Sequence, residues 1–319
     1  MEHGPLTIDC LASLPHYADH LRPVWEALPE HVKGTFWVRG QATPQPGDRA
    51  LRRKQETGEL VMVASAADRI YLDGRETILL EHGAGQTYTG IRSPSYSGGD
   101  GWERCCLFIC PNERVAERWA SSYPDAATAV VGCPRLDRWH AHTPPPNGTV
   151  ALTFHWDNPI CPESRWAFPH FKDGLAPFKA SCEAFGYELV GHGHPRARGV
   201  LDRWWAKLGI RPVGWDDVTR ADVLVGDNTS ALPEFASLGR PVVWMNSPQW
   251  RRHVDHGGRF WDWPKGQPQA DDPAELAGAL RRAFYGEGDE ARRRMVRSIY
   301  CATDGHAAER AAQAIVEVL

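Results

Sequence analysis

Lysine is scarce in this chain of 319 residues: arginine outnumbers it about five to one, a bias that points to GC-rich coding and carries no chemistry. Long apolar runs are absent, and none approaches the ~18 residues that a membrane span requires. The opening Met-Glu-His-Gly-Pro is acidic and no apolar stretch follows it, so a secretory signal is not expected. No Cys-x-x-Cys pair occurs among the eight cysteines, Cys10, Cys105, Cys106, Cys110, Cys133, Cys161, Cys182 and Cys301. Several lie in strand-like apolar runs and read as reduced core residues, which gives a cytoplasmic protein, bacterial or in the host cytoplasm of a virus, as the expectation. Excess positive charge is missing too, since the net charge is −4. That excludes a chain that holds nucleic acid mainly by a large positive field, and leaves an acidic polymer open as a partner through local patches.

What is present is a repeated alternation of short apolar strands and helices. Strand signals fall at 6–10, 35–38, 61–64, 77–80, 107–110 and 129–131, with helices at 16–28 and 113–122. Residues 140–148, with three consecutive prolines before Asn147-Gly148, break the pattern. It then restarts with strands at 150–154, 187–190, 223–225 and 242–245, and helices at 175–185, 199–208, 273–285, 290–300 and 307–318. Such alternation implies parallel sheets covered on both faces, and the length suits two domains. The expectation is an α/β chain of two doubly wound, Rossmann-like domains facing one another, 1–143 and 149–319, the second ending in a C-terminal helix.

The candidate chemistry falls at strand tips, where open parallel sheets bind ligands. After the strand at 223–225 come Asp227, Asn228, Thr229 and Ser230, then Pro233, Glu234, Gly239 and Pro241. Thr229 and Ser230 are N-cap types, Pro233 fits a first helical turn, and Gly239 with Pro241 supplies a stop. The helix start would meet an anion, with Glu234 one turn inside to accept from sugar hydroxyls; a nucleotide diphosphate meets both demands. An ordinary capped helix would read the same way.

The strand at 77–80 runs into Glu81-His82-Gly83-Ala84-Gly85-Gln86-Thr87. His82 could take a proton from an acceptor hydroxyl near neutral pH, with Glu81 orienting or replacing it; alternatively His82 satisfies a turn carbonyl. The strand at 187–190 ends in Gly191-His192-Gly193-His194-Pro195-Arg196, where His194 and Arg196 could neutralise a phosphate leaving group. A His192/His194 zinc site lacks Cys or carboxylate partners. The pairs His16/His20 and His253/His256 read as solvated surface residues. Arg135, in Val131-Gly132-Cys133-Pro134-Arg135-Leu136-Asp137, either reaches a ligand or pairs with Asp137, and His155-Trp156-Asp157-Asn158 ends the strand at 150–154 at the same rim. Trp204-Trp205 and Trp261-x-Trp263 read as core or as sugar and base platforms. Residues 41–59, with Arg49, Arg52, Arg53 and Lys54, form either a solvated basic loop or a surface for a polyanion.

In order along the chain, His82-Gly83, Gly132-x-Pro134-Arg135-x-Asp137, His194-Pro195, Asp227-Asn228-Thr229-Ser230 with Glu234-Phe235-Ala236-x-Leu238-Gly239-x-Pro241, and Asp304-Gly305-x-Ala307-x-x-Arg310 resemble the motifs of CDP-glycerol glycerophosphotransferases. The Ser/Thr turn and its helix are also similar to those of UDP-N-acetylglucosamine 2-epimerases. The resemblance covers roughly residues 75–315 and implies the two-domain GT-B glycosyltransferase fold. It further implies His82 as base, His194 as stabiliser of donor phosphates, Thr229 and Ser230 as diphosphate ligands, and Glu234 on the ribose. Departures from the transferase pattern are Asp-Asn-Thr-Ser in place of Asp-Tyr-Ser-Ser, His-Gly-Ala-Gly in place of His-Gly-Thr-Pro, and the lack of a membrane-associating extension.

The function expected is therefore metal-independent, inverting transfer of a sugar from a nucleotide diphosphate donor to a hydroxyl acceptor. Catalysis falls to His82, Glu81 and His194, and donor binding to Arg135, Arg196, Asn228, Thr229, Ser230 and Glu234. No cofactor is expected beyond the nucleotide-sugar donor, itself a substrate. The acceptor stays open among modified DNA, a glycan, a teichoic-type polymer and a protein. Glycerol phosphate transfer, nucleotide-sugar epimerisation and non-catalytic nucleotide or glycan binding are the alternatives.

Overall fold

The computed structural model describes residues 7–53, 56–72, 74–84, 101–157, 159, 165–250 and 262–319. The chain divides into two compact units, Met1–Ala141 with Ser298–Leu319, and His142–Arg297.

Among the described residues the first unit has seven strands: β1 (Ile8–Ala12), β2 (Lys33–Val38), β3 (Arg49–Ala50), β4 (Leu60–Val63), β5 (Glu76–Leu80), β6 (Cys105–Cys110) and β7 (Ala127–Val130). They pair in parallel in the order β3-β2-β1-β4-β5-β6-β7. Continuous burial along β1 and β4 is what a strand covered on both faces demands. The helices are α1 (Pro15–Ala27), α2 (Ala66–Arg69), α3 (Glu113–Ser122) and α4 (Asp137–Ala141). The strand order reverses between β1 and β4, so the crevice that accepts ligands in such sheets lies beyond the carboxyl ends of that pair.

The second unit repeats the plan, with six strands among the described residues: β8 (Thr149–Thr153), β9 (Glu188–Gly191), β10 (Arg211–Pro212), β11 (Val223–Gly226), β12 (Val242–Met245) and β13 (Gln269–Ala270). Their order is β10-β9-β8-β11-β12-β13, again all parallel, with the reversal between β8 and β11. Its helices are α5 (Phe168–Phe171), α6 (Leu175–Ala184), α7 (Arg198–Leu208), α8 (Trp215–Val218), α9 (Ala231–Ala236) and α10 (Leu276–Phe284). α11 (Asp289–Ile299) contains the division point, and α12 (Ala307–Val318) follows it.

The expectation of a second domain running from 149 to 319 is corrected at its far end. Ala311, Ala312 and Ile315 of α12 pack in the same core cluster as Ile8, Leu21 and Leu107, so the last helix completes the first unit. Full burial of Ile315 alone contributes roughly 1.5–3 kcal/mol, gained within the core of the first unit. The short strands β3, β10 and β13, two residues each, lay in stretches that read as loop because so few residues carry no periodicity.

Candidate functional site

In the first unit the switch point gathers three imidazoles. The chain leaving β1 enters α1, which brings His16, Tyr17 and His20 round one face, and the chain leaving β5 brings His82 to meet them. The His82 ring lies 5.9 Å from that of His20, 5.4 Å from Tyr17 and 6.3 Å from His16. His82 Nδ1 stands 2.6 Å from the carbonyl oxygen of Ala64, at the end of β4. A carbonyl can only accept, so Nδ1 carries the proton and the basic lone pair falls on Nε2. The sequence reading offered a base or a turn histidine; the Ala64 carbonyl is a partner of the turn kind for one of its nitrogens.

Glu81 does not share that face. Successive residues at a strand tip point to opposite sides, and the Glu81 carboxylate accepts the Trp119 indole N–H at 2.8 Å, with only 5 % of the residue exposed. Trp119 in turn stacks on Phe108, ring centres 4.3 Å apart. Glu81 thus stiffens the strand tip from the α3 side, whereas the carbonyl of Ala64 fixes the His82 ring.

His20 corrects the surface reading of the His16/His20 pair: it is 2 % exposed. Its Nε2 accepts the backbone N–H of Gly83 at 3.3 Å. Burial above all, then Arg135, His82 and His16, hold its pKa well below the ordinary value, so it stays neutral and keeps the acceptor lone pair that Gly83 needs. Arg135, partly buried, stands near enough to His20 to take part in that effect, whereas Asp137 is engaged elsewhere. Its two carboxylate oxygens accept the N–H groups of Ala307 and Ala308, 3.0 and 2.7 Å away, at the start of α12. Arg310 donates to the Val131 carbonyl at 3.0 and 2.9 Å and pairs with Asp304. The Gly-x-Pro-Arg-x-Asp and Asp-Gly-x-Ala-x-x-Arg motifs therefore close on each other as a clasp that ties α12 to the first sheet. Gly132 sits at its centre with φ +92°, where an added Cβ would come 3.0 Å from the Ala302 carbonyl oxygen.

In the second unit the tips of β8, β9 and β11 converge. Gly226 ends β11, and a Cβ there would lie 2.7 Å from Thr153 Cγ2, so only glycine lets β11 run this close to β8 before the turn. Asp227, fully buried, accepts the N–H of His155 at 2.7 Å and of Ala167 at 2.9 Å, pinning both ends of the loop after β8. Burial raises its pKa to about 7 against the lowering effect of those hydrogen bonds.

The pinned loop places the His155 ring 5.1 Å from that of His194 and the Trp156 ring 6.0 Å from it. The Arg196 guanidinium lies over Trp156 at 4.7 Å. His194 Nδ1 accepts the N–H of Arg196 at 3.2 Å. His192 Nδ1 meets the Thr153 hydroxyl at 3.0 Å, which separates its role from that of His194. Among the described residues no group of three or more His, Cys, Asp or Glu could hold a metal ion.

The turn at 228–230 differs in detail from its sequence expectation. α9 is only six residues long and every one of them is buried, Glu234 included. Ser230, half-buried, has helical dihedrals and makes no side-chain cap; the Thr229 hydroxyl instead accepts the N–H of Ala231 at 3.3 Å. Asn228 and Thr229 are buried, so Ser230 is the member of the turn with an accessible side chain. Gly239, φ +81°, ends the helix as expected.

His155 and Trp156 are more central, and His20 more buried, than the sequence reading had them. The available signal was spacing: His16 and His20 lie four apart on the first helix after the first strand, hence on one face. Gly85, Gln86, Thr87, Lys54, Asn158, Cys161, His253, His256 and Trp261 lie outside the described residues. The seven described cysteines are free thiols; Cys301 is exposed and Cys106 half-buried, so these two depart from the core expectation.

No family model and no curated protein matches the sequence. Solved structures match the fold over nearly the whole chain. The wall teichoic acid polymerase TagF is similar with a TM-score of 0.67 at 15% identity, covering 98% of this chain and 88% of that one. MnaA from S. aureus, solved with UDP, gives 0.61 at 13% identity over 98% and 95% of the two chains. A UDP-N-acetylglucosamine 2-epimerase gives 0.61 at 11% identity over 98% and 96%. The chain has the GT-B fold that these proteins share. No described helix is long and apolar enough to cross a membrane.

Proposed function

We propose that the chain transfers a sugar from a nucleotide diphosphate donor to a hydroxyl acceptor. The second unit grips the donor: Arg196 and His194 meet the diphosphate beside Ser230, with Thr229 and Asn228 shaping the turn and buried Glu234 supporting it from α9. As the bond to the donor breaks, charge builds on the leaving phosphate, and a guanidinium backed by Trp156 answers it. His82 Nε2 takes the acceptor proton, and attack from the face opposite the leaving group inverts the transferring carbon. Arg135 assists on the acceptor side by adding to the effect of burial that keeps His20 neutral. The charge needed at the donor is supplied by side chains, so no divalent ion enters the scheme.

The single observation that carries the reading is the Ala64 carbonyl at 2.6 Å from His82 Nδ1, which fixes the lone pair on the other nitrogen. Support for a nucleotide comes from the GT-B relatives, one of them solved with UDP and TagF with CDPG. The test is calorimetric titration with CDP, UDP and GDP. One of them should bind, and Arg196→Ala should weaken it about tenfold or more, the loss of one charge-assisted contact. Binding of none of the three would contradict the donor assignment. Turnover of CDP-glycerol in place of any nucleotide sugar would move the chain to glycerol phosphate transfer.

A further inference from the structure

The outer edge of the first sheet carries arginines that the proposed transfer leaves unused. Pairing of β3 with β2 sets Arg49 opposite Trp37, and the Arg49 guanidinium lies over the Trp37 ring at 5.8 Å. Arg39, the first residue after β2, lies over the Tyr71 ring at 4.5 Å and donates to the Leu51 carbonyl at 3.1 Å. Arg52 and Arg53 follow Leu51 and are exposed, as is Arg49. Ile70, the chain neighbour of Tyr71, is 60 % exposed.

The carboxylates of the same stretch are mostly committed. Asp48 accepts from both terminal nitrogens of Arg22, at 2.9 and 2.7 Å, and from the Gln45 N–H at 2.8 Å. Glu56 accepts the backbone N–H groups of Arg52 and Arg53 at 2.7 and 2.9 Å, and their guanidinium groups add a weaker pull on it. Glu59 comes just before β4, at the other end of the sheet. Among the described residues, Arg39, Arg49, Arg52 and Arg53 form no ion pair with a carboxylate. Four guanidinium groups thus stand against the one carboxylate of Glu56, and this edge is positive although the chain as a whole is negative.

All strands of the sheet run parallel, so β2 and β3 end at the same rim as β5, whose tip carries His82. At about 4.8 Å per strand, β2 stands roughly 14 Å and β3 roughly 19 Å from β5 along that rim, a gap that a few nucleotides span. Flat guanidinium groups laid over aromatic rings offer planar faces to a nucleobase, and the exposed ones offer charge-assisted donors to phosphate. A glycerol phosphate chain has no planar group to use such faces, and a duplex keeps its bases stacked on one another.

We infer that the β2–β3 edge binds a single-stranded nucleic acid, whose chain runs along the rim toward His82. That this strand is the acceptor rests on the transferase reading; that the edge binds it does not.

The experiment is fluorescence anisotropy with single-stranded DNA and RNA oligonucleotides of about a dozen residues, beside duplex DNA and poly(glycerol phosphate), at several salt concentrations. The wild-type protein should bind a single strand more tightly than either competitor. Arg49→Ala, Arg52→Ala and Arg53→Ala together should weaken it about tenfold or more, with the circular dichroism spectrum unchanged. The slope of log affinity against log salt should fall by about 2, three charges at ~0.7 each. Lysine at the same three positions should restore the slope and only part of the affinity, because the charge returns without the plane. Tighter binding of the duplex or of poly(glycerol phosphate), an affinity indifferent to the alanines, full affinity with the lysines, or no binding of either single strand would each overturn the inference. Nucleoside diphosphate titration of the same samples separates the two readings, because Arg196 and Ser230 belong to the other unit.

Discussion

Two buried aspartates show how single residues hold the strand tips in register. Asp68 follows β4 and accepts the N–H of Ser13, just past β1, at 3.3 Å; Asp227 follows β11 and accepts the N–H of His155, just past β8. Each acid thus bridges the switch point of its own sheet. Burial raises both pKa values, to about 6 for Asp68 and about 7 for Asp227. An acid whose folded pKa is raised binds its proton more tightly when folded, so its contribution to stability is full below about pH 4 and is lost as pH rises through the folded pKa. Stability carried by these two residues should therefore decline between about pH 4 and pH 7. Asp227→Asn should remove the upper part of that slope, read from denaturant midpoints at pH 5.5 and 8; an unchanged slope would contradict the bridge. His20 works in the opposite direction: its depressed pKa gives stability that is present above about pH 6.5 and lost in acid. None of this was legible in the sequence, because burial is a tertiary property and Asp68 has no motif around it.

At the scale of elements, the sequence specified most strands and long helices through their periodicity, and missed what depends on distant partners. The helix at 113–122 was placed correctly because Asn112 caps it, accepting the N–H of Val115 at 3.0 Å, and its apolar residues repeat at helical spacing. The destination of α12 was misjudged because its alanine-rich face fits any core. The clasp that decides it, Asp137 on the α12 N-terminus and Arg310 on the Val131 carbonyl, joins residues more than 150 positions apart. Asp137→Ala removes a cap serving two N–H groups and should cost about 1–2 kcal/mol of stability, seen as a lower thermal midpoint. Gly132→Ala should cost at least as much, since alanine is strained at φ +92° and its Cβ would press on the Ala302 carbonyl. Wild-type midpoints in both variants would show that α12 is held in some other way.

Across the whole molecule, the same strand order built twice explains why the candidate residues fall where they do. Each sheet reverses direction beside its first strand, and each reversal collects the polar tips that the sequence had already marked: His82 in one unit, His194, Arg196 and the 228–230 turn in the other. The motifs were legible because strand tips interrupt apolar runs with glycine, histidine and aspartate. The division of labour inside them was not, since Glu81 and Asp227 carry the look of reacting groups and are engaged in holding Trp119 and the β8 loop. The transferase reading assigns one task to each unit, activation of the acceptor to the first and retention of the donor to the second. Loss of either should stop the reaction. Release of nucleoside diphosphate from the donor that binds best, followed by mass spectrometry in the presence of a mixed pool of hydroxyl acceptors, tests this most directly. Wild-type protein should release nucleotide, and His82→Ala and His194→Ala should each slow it by about 10²–10⁴-fold, the usual range for a lost proton acceptor or charge stabiliser; wild-type rates in both variants would contradict the account.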